Sequence, residues 1–227
     1  MHVWRIRPAR HDTSTAWAVL SDAERERAGR FIFEEHRKFF VATHAIVRRI
    51  LATYIGLPAD ALQFAESEAG KPSLLRGQSE THVEFNLSHS GDLALLAVSA
   101  AARVGVDVER WHRHTEHLEL AEHFFSAHER DALRALAAHD ADLVAGFFAA
   151  WSRKEAYLKA TGTGITQGLD HFSVSLRPGE PARLITDERD AMASERWYFA
   201  ALDAGPEYSA ALVAEQPVSQ VLLLDYR

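Results

Sequence analysis

The sequence predicts an α+β protein of two similar halves related by a pseudo-twofold, with an active site in the cleft between them. Three observations carry that expectation. The order helix pair, alternating strand, buried strand occurs twice along the chain. Phe39-Phe40 followed by Arg48-Arg49 in the first half is echoed by Phe147-Phe148 followed by Lys154-Glu155 in the second. The apolar run Leu93–Val98 is echoed by Tyr208–Val213. The likeness lies in architecture rather than residue identity, as expected of two packed α+β units. The halves divide as 1–103 and 104–227, and ligands favour the cleft between such units.

Within residues 22–54, Phe31, Phe39, Phe40, Ala42, Ile46, Ile50, Leu51 and Tyr54 recur at a spacing that suits one or two amphipathic helices. Gly56-Leu57-Pro58 ends them. A loop rich in Glu, Gly and Ser follows and contains Gly70-Lys71-Pro72. Val83, Phe85 and Leu87 then alternate with polar neighbours, as in a half-buried strand. Leu93–Val98 is apolar throughout, as in a strand covered on both faces. After Ala100–Ala102, the run Val104-Gly105-Val106-Asp107-Val108-Glu109 opens the second half. Helices are expected over Leu118–Ala138 and Leu143–Thr161, and strands near Phe172–Leu176, Trp197–Leu202 and Tyr208–Val213.

With 227 residues, 47% of them hydrophobic and 25% charged, the chain lies in the range of globular proteins. Cysteine is absent, which excludes disulfides, thiolate metal sites and a cysteine nucleophile. The balance of 25 Lys and Arg against 32 Asp and Glu gives a net charge of −7. That argues against a nucleic-acid backbone or an anionic membrane as partner, so an anionic ligand must be met by a local cluster. The amino terminus has no signal-like apolar stretch, and the run Leu93–Ala102 is far short of the about 20 residues that span a bilayer. A cytoplasmic protein is expected.

Four segments hold the candidate chemistry. In Asp107-Val108-Glu109 the two carboxylates project from one face of a strand while Val106 and Val108 point into the core. Like charges so placed repel unless a cation sits between them, and paired hard oxygens suit Mg²⁺. A solvated strand face is the plain alternative. In Trp151-Ser152-Arg153-Lys154-Glu155-Ala156-Tyr157-Leu158-Lys159, helical spacing puts Glu155 and Lys159 on one face, in the favoured order for an ion pair. Either this is a surface salt bridge before a glycine stop at Gly162, or Glu155 is a third carboxylate or general base with Lys159 beside it to neutralise phosphate. Asn86-Leu87-Ser88-His89-Ser90 clusters hydroxyls, an amide and an imidazole suited to an anion, and Lys71 adds a point charge on a loop stiffened by Pro72.

Taken in order, Gly70-Lys71-Pro72, Asn86-Leu87-Ser88-His89-Ser90, Gly105-Val106-Asp107-Val108-Glu109 and Trp151-Ser152-Arg153-Lys154-Glu155-Ala156 with Lys159 resemble the phosphopantetheinyl transferases of the Sfp type, over essentially the whole chain. The resemblance implies transfer of the phosphopantetheine arm of coenzyme A to a serine of an acyl or peptidyl carrier protein, a transient partner, with adenosine bisphosphate released. It implies Mg²⁺ on Asp107, Glu109 and Glu155, and Lys159 against the departing bisphosphate. Coenzyme A would bind to Lys71, Pro72, Ser88 and His89 at its 3′-phosphate and adenine end, with Lys154 and a cation of the first long helix, for which Arg37 is chosen over Arg30 and Lys38. Glu155 or a metal-bound water would take the serine proton. One chain holding both halves implies a monomer. The histidine-rich segment Trp111–His117 carries a metal-like spacing but reads better, with Leu118, Phe124 and Phe125, as an edge for carrier docking, although phenylalanines such as Phe124 and Phe125 are more often core and are not taken as site residues. A phosphohydrolase using the same carboxylates, or a non-catalytic coenzyme A binder, are the competing readings.

Overall fold

The computed structural model describes every residue except 12–13, 68–69, 79, 81, 113–115 and 165–167. Its helices are α1 (Ala16–Val19), α2 (Asp22–Gly29), α3 (Glu34–Ile55), α4 (His117–Phe124), α5 (Ala127–Leu136), α6 (Asp140–Thr161) and α7 (Ala193–Arg196). The strands are β1 (His2–Ile6), β2 (Phe64–Glu66), β3 (Pro72–Leu74), β4 (Glu84–Ser90), β5 (Leu93–Ser99), β6 (Val104–Arg110), β7 (Phe172–Val174), β8 (Leu184–Asp187), β9 (Trp197–Ala201), β10 (Tyr208–Glu215) and β11 (Leu222–Asp225). The molecule is α+β, as the patterning predicts.

One sheet has the order β11-β1-β5-β4 and another the order β6-β10-β9. They stack into four layers. Strand β5 shows why its sequence is apolar without a break. Ala94, Leu96 and Val98 pack against α3 with Ile46, Ile50 and Leu51, while Leu93, Leu95 and Ala97 pack against Val106, Val108 and Leu212 of the second sheet. A strand covered by a helix on one side and a sheet on the other has no face left for polar residues. Beyond the second sheet lie α4, α5 and α6, joined to it through Ala211 and Val213 of β10.

Several elements depart from the sequence expectation, among them β2 and β3, which pair within the segment expected to be a loop, and β8. The helix expected over Leu118–Ala138 is two helices, because Ser126 caps α5: its hydroxyl accepts from Glu129 N–H while the Glu129 carboxylate accepts from Ser126 N–H. Strand β1, absent from the expectation, is central in the first sheet. Strand β11 lies parallel to β1, with Val3 opposite Leu223, so it joins the sheet that holds β5 and β4.

The two long helices share a design. Each has 22 residues and stops at a left-handed glycine, Gly56 with φ 76° and Gly162 with φ 76°, as the sequence predicts for both stops. Each is preceded by a short helix with a capping box, Ser21 with Glu24 on α2 and Ser126 with Glu129 on α5.

Candidate functional site

Strands β4 and β6 are edges of different sheets, and they meet through side chains rather than a ladder of main-chain bonds. Asn86 Oδ1 accepts from Val106 N–H at 2.8 Å, Ser88 Oγ donates to Asp107 Oδ1 at 2.8 Å, and Ser90 Oγ donates to Glu109 at 3.2 Å. The polar residues at every second position of β4 make this seam, while Phe85 turns toward α3. Along β6 the alternation runs as the sequence implies. Val104, Val106 and Val108 lie in the core between the sheets, and Gly105, Asp107 and Glu109 take the opposite face, where Gly105 meets α6.

Gly105 permits that meeting. A Cβ there would lie 2.1 Å from the Ala156 carbonyl oxygen and 2.4 Å from the Ala160 nitrogen. The close crossing brings Lys159 to Asp107: Nζ donates to Asp107 Oδ1 at 2.6 Å and to Ser88 Oγ at 3.1 Å. The expected ion pair of Lys159 with Glu155 along the helix is not formed, because Lys159 reaches across to the strand instead. Two buried carboxylate oxygens, Asp107 Oδ2 and Glu155 Oε1, have no hydrogen-bond partner among the described residues. An unmet buried acceptor costs about 1–3 kcal/mol, so two at one site mark a place for a cationic or proton-donating ligand. Burial, then the charge of Asp107, pushes the Glu109 carboxyl up to about 7, and burial raises that of Glu155.

Aspartate and glutamate oxygens suit Mg²⁺, which takes one or two protein carboxylates and leaves other positions to phosphate and water. Among the described residues no group of three or more His, Asp or Glu side chains is arranged to hold a metal ion. The fit therefore rests on the two unpartnered oxygens and on the mutual repulsion felt by Glu109, and by these the residues fit such an ion.

Two cavities flank this cluster. One of about 1130 Å³ is lined by Lys38, Phe39, His44, His89, Asp92 and Arg110. Of its histidines, His89 stands edge-on to Phe39 at 5.5 Å. Desolvation by the cleft walls, then the charges of Lys159, His44 and Arg27, hold it below the ordinary imidazole range. A smaller one, of about 320 Å³, is lined by Lys71, Pro72, Asn86, Glu155, Lys159 and Gly164.

The structure therefore brings Asp107, Glu109, Glu155, Lys159 and Ser88 together, with His89, Lys71 and Pro72 beside them. It corrects one expectation. Lys154 is wholly buried, paired with Glu129 at 2.8 Å and donating to the carbonyls of Leu169 and Phe172 at 2.6 and 2.5 Å, so it is not exposed to a cofactor. Arg37 is exposed on the first turn of α3 and does not line the larger cavity, whereas Lys38 does. Phe125 is fully buried, whereas Phe124 is 39% exposed. Of the histidine-rich segment, His117 is buried against Phe147 and Phe148, and 113–115 lie outside the described residues. Arg27 and His44, whose charges bear on His89, were not singled out from sequence. Arg27 follows Ser21-x-x-Glu24, and that capping box sets the register of α2.

A family model described as 4'-phosphopantetheinyl transferase superfamily matches residues 103–213, and one described as 4'-phosphopantetheinyl transferase, N-terminal, matches residues 3–101. The 4'-phosphopantetheinyl transferase HetI of a Nostoc species is 42% identical over 190 residues, covering 82% of this chain and 78% of the relative. The 4'-phosphopantetheinyl transferase psf-1 of Bacillus pumilus is 34% identical over 200 residues, covering 88% and 81%. A 4'-phosphopantetheinyl transferase of Bacillus subtilis is 30% identical over 200 residues, covering 88% and 84%.

Proposed function

This chain belongs to the 4'-phosphopantetheinyl transferase family, and from that premise we propose that it moves the phosphopantetheine arm of coenzyme A to a serine of an acyl or peptidyl carrier protein. Adenosine 3',5'-bisphosphate is the leaving product and Mg²⁺ the metal. The observation that carries the reading is the pair of unpartnered buried oxygens, Asp107 Oδ2 and Glu155 Oε1, next to the Lys159–Asp107 ion pair.

Phosphoryl transfer needs positioning and charge neutralisation more than covalent chemistry by the protein. Asp107, Glu109 and Glu155 would hold the metal, which when bound supplies positive charge to the pyrophosphate. Lys159, held by Asp107 and Ser88, offsets charge on the bridging oxygen as its bond to the transferred phosphorus breaks. The new bond joins the serine oxygen to that phosphorus, and the serine proton passes to the carboxylate of Glu155, whose Oε1 has no partner among the described residues. His89, with Lys38 and Arg27 near it, binds the 3′-phosphate in the larger cavity.

Several features support the two-half reading. The family matches adjoin near residue 102, and the paired 22-residue helices with their capping boxes support a pseudo-twofold with the site along the seam. Strand β11 is then the one element of the second half returned to the first sheet. One chain supplies both walls, so a monomer suffices. Among the described residues no helix is long and apolar enough to cross a membrane, and use of coenzyme A fits a cytoplasmic site.

The test is intact-mass spectrometry of apo acyl and apo peptidyl carrier proteins incubated with this protein, coenzyme A and Mg²⁺, with and without EDTA. A gain of one phosphopantetheine on a carrier, abolished by EDTA, is expected. Free phosphopantetheine released without carrier modification would replace the reading with a hydrolase.

A further inference from the structure

We propose that Lys71 is a positioning residue that clamps the end of α6 to the start of β6, and thereby sets Lys159, rather than a ligand of the coenzyme A phosphate. The inference rests on the transferase reading above.

Lys71 sits between Gly70, at φ 76°, and Pro72, whose ring fixes the next φ. Its N–H donates to Ser67 Oγ at 3.0 Å and its carbonyl accepts from Ser67 N–H at 3.0 Å, so the backbone that carries the side chain is tied to Ser67 twice. The ammonium leaves that segment for the other half of the chain. Nζ donates to the Lys159 carbonyl at 2.8 Å and to the Val104 carbonyl at 3.0 Å.

Both acceptors matter by where they stand. Lys159 lies in the last turn of α6, where the final four carbonyls lack partners within the helix and the dipole is negative. A cation there satisfies a carbonyl and the dipole together. Val104 is the first residue of β6, next to Gly105, where a Cβ would collide with Ala156 and Ala160 of α6. Lys71 thus bonds the two backbones at their closest approach. The side chain of the same Lys159 runs on to Asp107, three residues along β6 from Val104. A shift at the crossing moves both partners of the Lys159–Asp107 pair, so Lys71 acts on the chemistry through them. With two of its three N–H donors on protein carbonyls, it has little left for a phosphate.

The experiment compares wild type with Lys71→Met in transfer to an apo carrier protein, using coenzyme A and dephospho-coenzyme A, which lacks the 3′-phosphate. A clamp predicts kcat lower by about tenfold or more with either donor, KM within about twofold, and an unchanged preference between the donors. It also predicts that Lys71→Met costs nothing further in a Lys159→Met background. A tenfold rise in KM confined to coenzyme A, or losses that add in the double variant, would overturn it. Should Lys71→Met not fold, Lys71→Gln, which keeps donors without charge, is read by the same criteria. Wild-type protein that transfers nothing sinks the transferase reading instead. The clamp is then judged by calorimetric binding of the two donors, where affinities of Lys71→Met within about twofold of wild type for both support it and a loss confined to coenzyme A overturns it.

Discussion

Replacing Gly105 by alanine tests whether the site depends on the backbone crossing. The added Cβ would stand 2.1 Å from the Ala156 carbonyl oxygen, where ordinary contacts begin at 3.4 Å. Both obstacles are backbone atoms of a helix buried on several sides, so no side chain can swing away. Helix α6 must retreat by roughly 1.3 Å if it alone moves. The Lys159 Nζ to Asp107 Oδ1 distance, now 2.6 Å, would open to nearly 4 Å, beyond a hydrogen bond. A displacement near 1 Å at reacting groups costs about a hundredfold in rate, and overpacking costs about 1–3 kcal/mol. The expectation is kcat down by about a hundredfold with saturating coenzyme A and carrier, and a Tm lower by several degrees. Steady-state transfer kinetics and calorimetric unfolding of the same preparation measure both. A Gly105→Ala protein with wild-type kcat and Tm would refute the dependence on the crossing.

Other predictions follow from individual groups. Glu109 binds its proton more tightly in the folded protein, at about 7, than an ordinary glutamate does at 4.5. Metal-free wild type should therefore lose stability relative to Glu109→Gln as pH rises from about 4.5 to about 7, by on the order of 3 kcal/mol, and Mg²⁺ should restore it; urea unfolding at pH 5 and 8 measures the difference. Lys154→Met leaves the fully buried Glu129 carboxylate without its ion pair, so unfolding free energy should drop by about 3–5 kcal/mol, while KM for coenzyme A in the folded fraction stays unchanged. Lys38→Ala should raise KM for coenzyme A several-fold and leave that for dephospho-coenzyme A alone. Arg37→Ala should change neither, and equal effects of the two would return Arg37 to the site.

What was legible in the sequence follows from period and packing. The shared face of Asp107 and Glu109 is a consequence of a two-residue repeat and needs no knowledge of the partner sheet. The burial of Leu93–Val98 is equally plain, since nothing polar interrupts it. Lys154 was misplaced for a reason visible in α6, where the sheet covers one side and α4, α5 and β7 another. A helix enclosed in this way gives no polar stripe from which inside and outside can be told. The division of Leu118–Ala138 did have a signal, Ser126-x-x-Glu129, that helical periodicity outweighed. Strands β1 and β11 had almost none: each is five residues or fewer, and their pairing joins the two ends of the chain.

The buried cations show how one scaffold accommodates the chemistry. Arg48 is the fifteenth residue of α3 and Lys154 the fifteenth of α6. Arg48 pairs with Glu24, the capping-box glutamate of α2, and donates to the carbonyls of Ala59 and Leu62 beyond its helix. Lys154 pairs with Glu129, the capping-box glutamate of α5, and donates to the carbonyls of Leu169 and Phe172 beyond its own. At each place, one cation ties a short helix, a long helix and the segment after it into a single unit. The two places differ at the next position. Arg49 donates to Thr15 at the surface, whereas Glu155 presents an unpartnered oxygen at the carboxylate cluster. Because a residue and its successor point about 100° apart on a helix, the brace can stay satisfied in the interior while its neighbour takes up chemistry. A motif that places Lys154 beside Glu155 therefore joins a residue buried in a structural ion pair to one that opens on the carboxylate cluster, and their adjacency in sequence does not imply a common role.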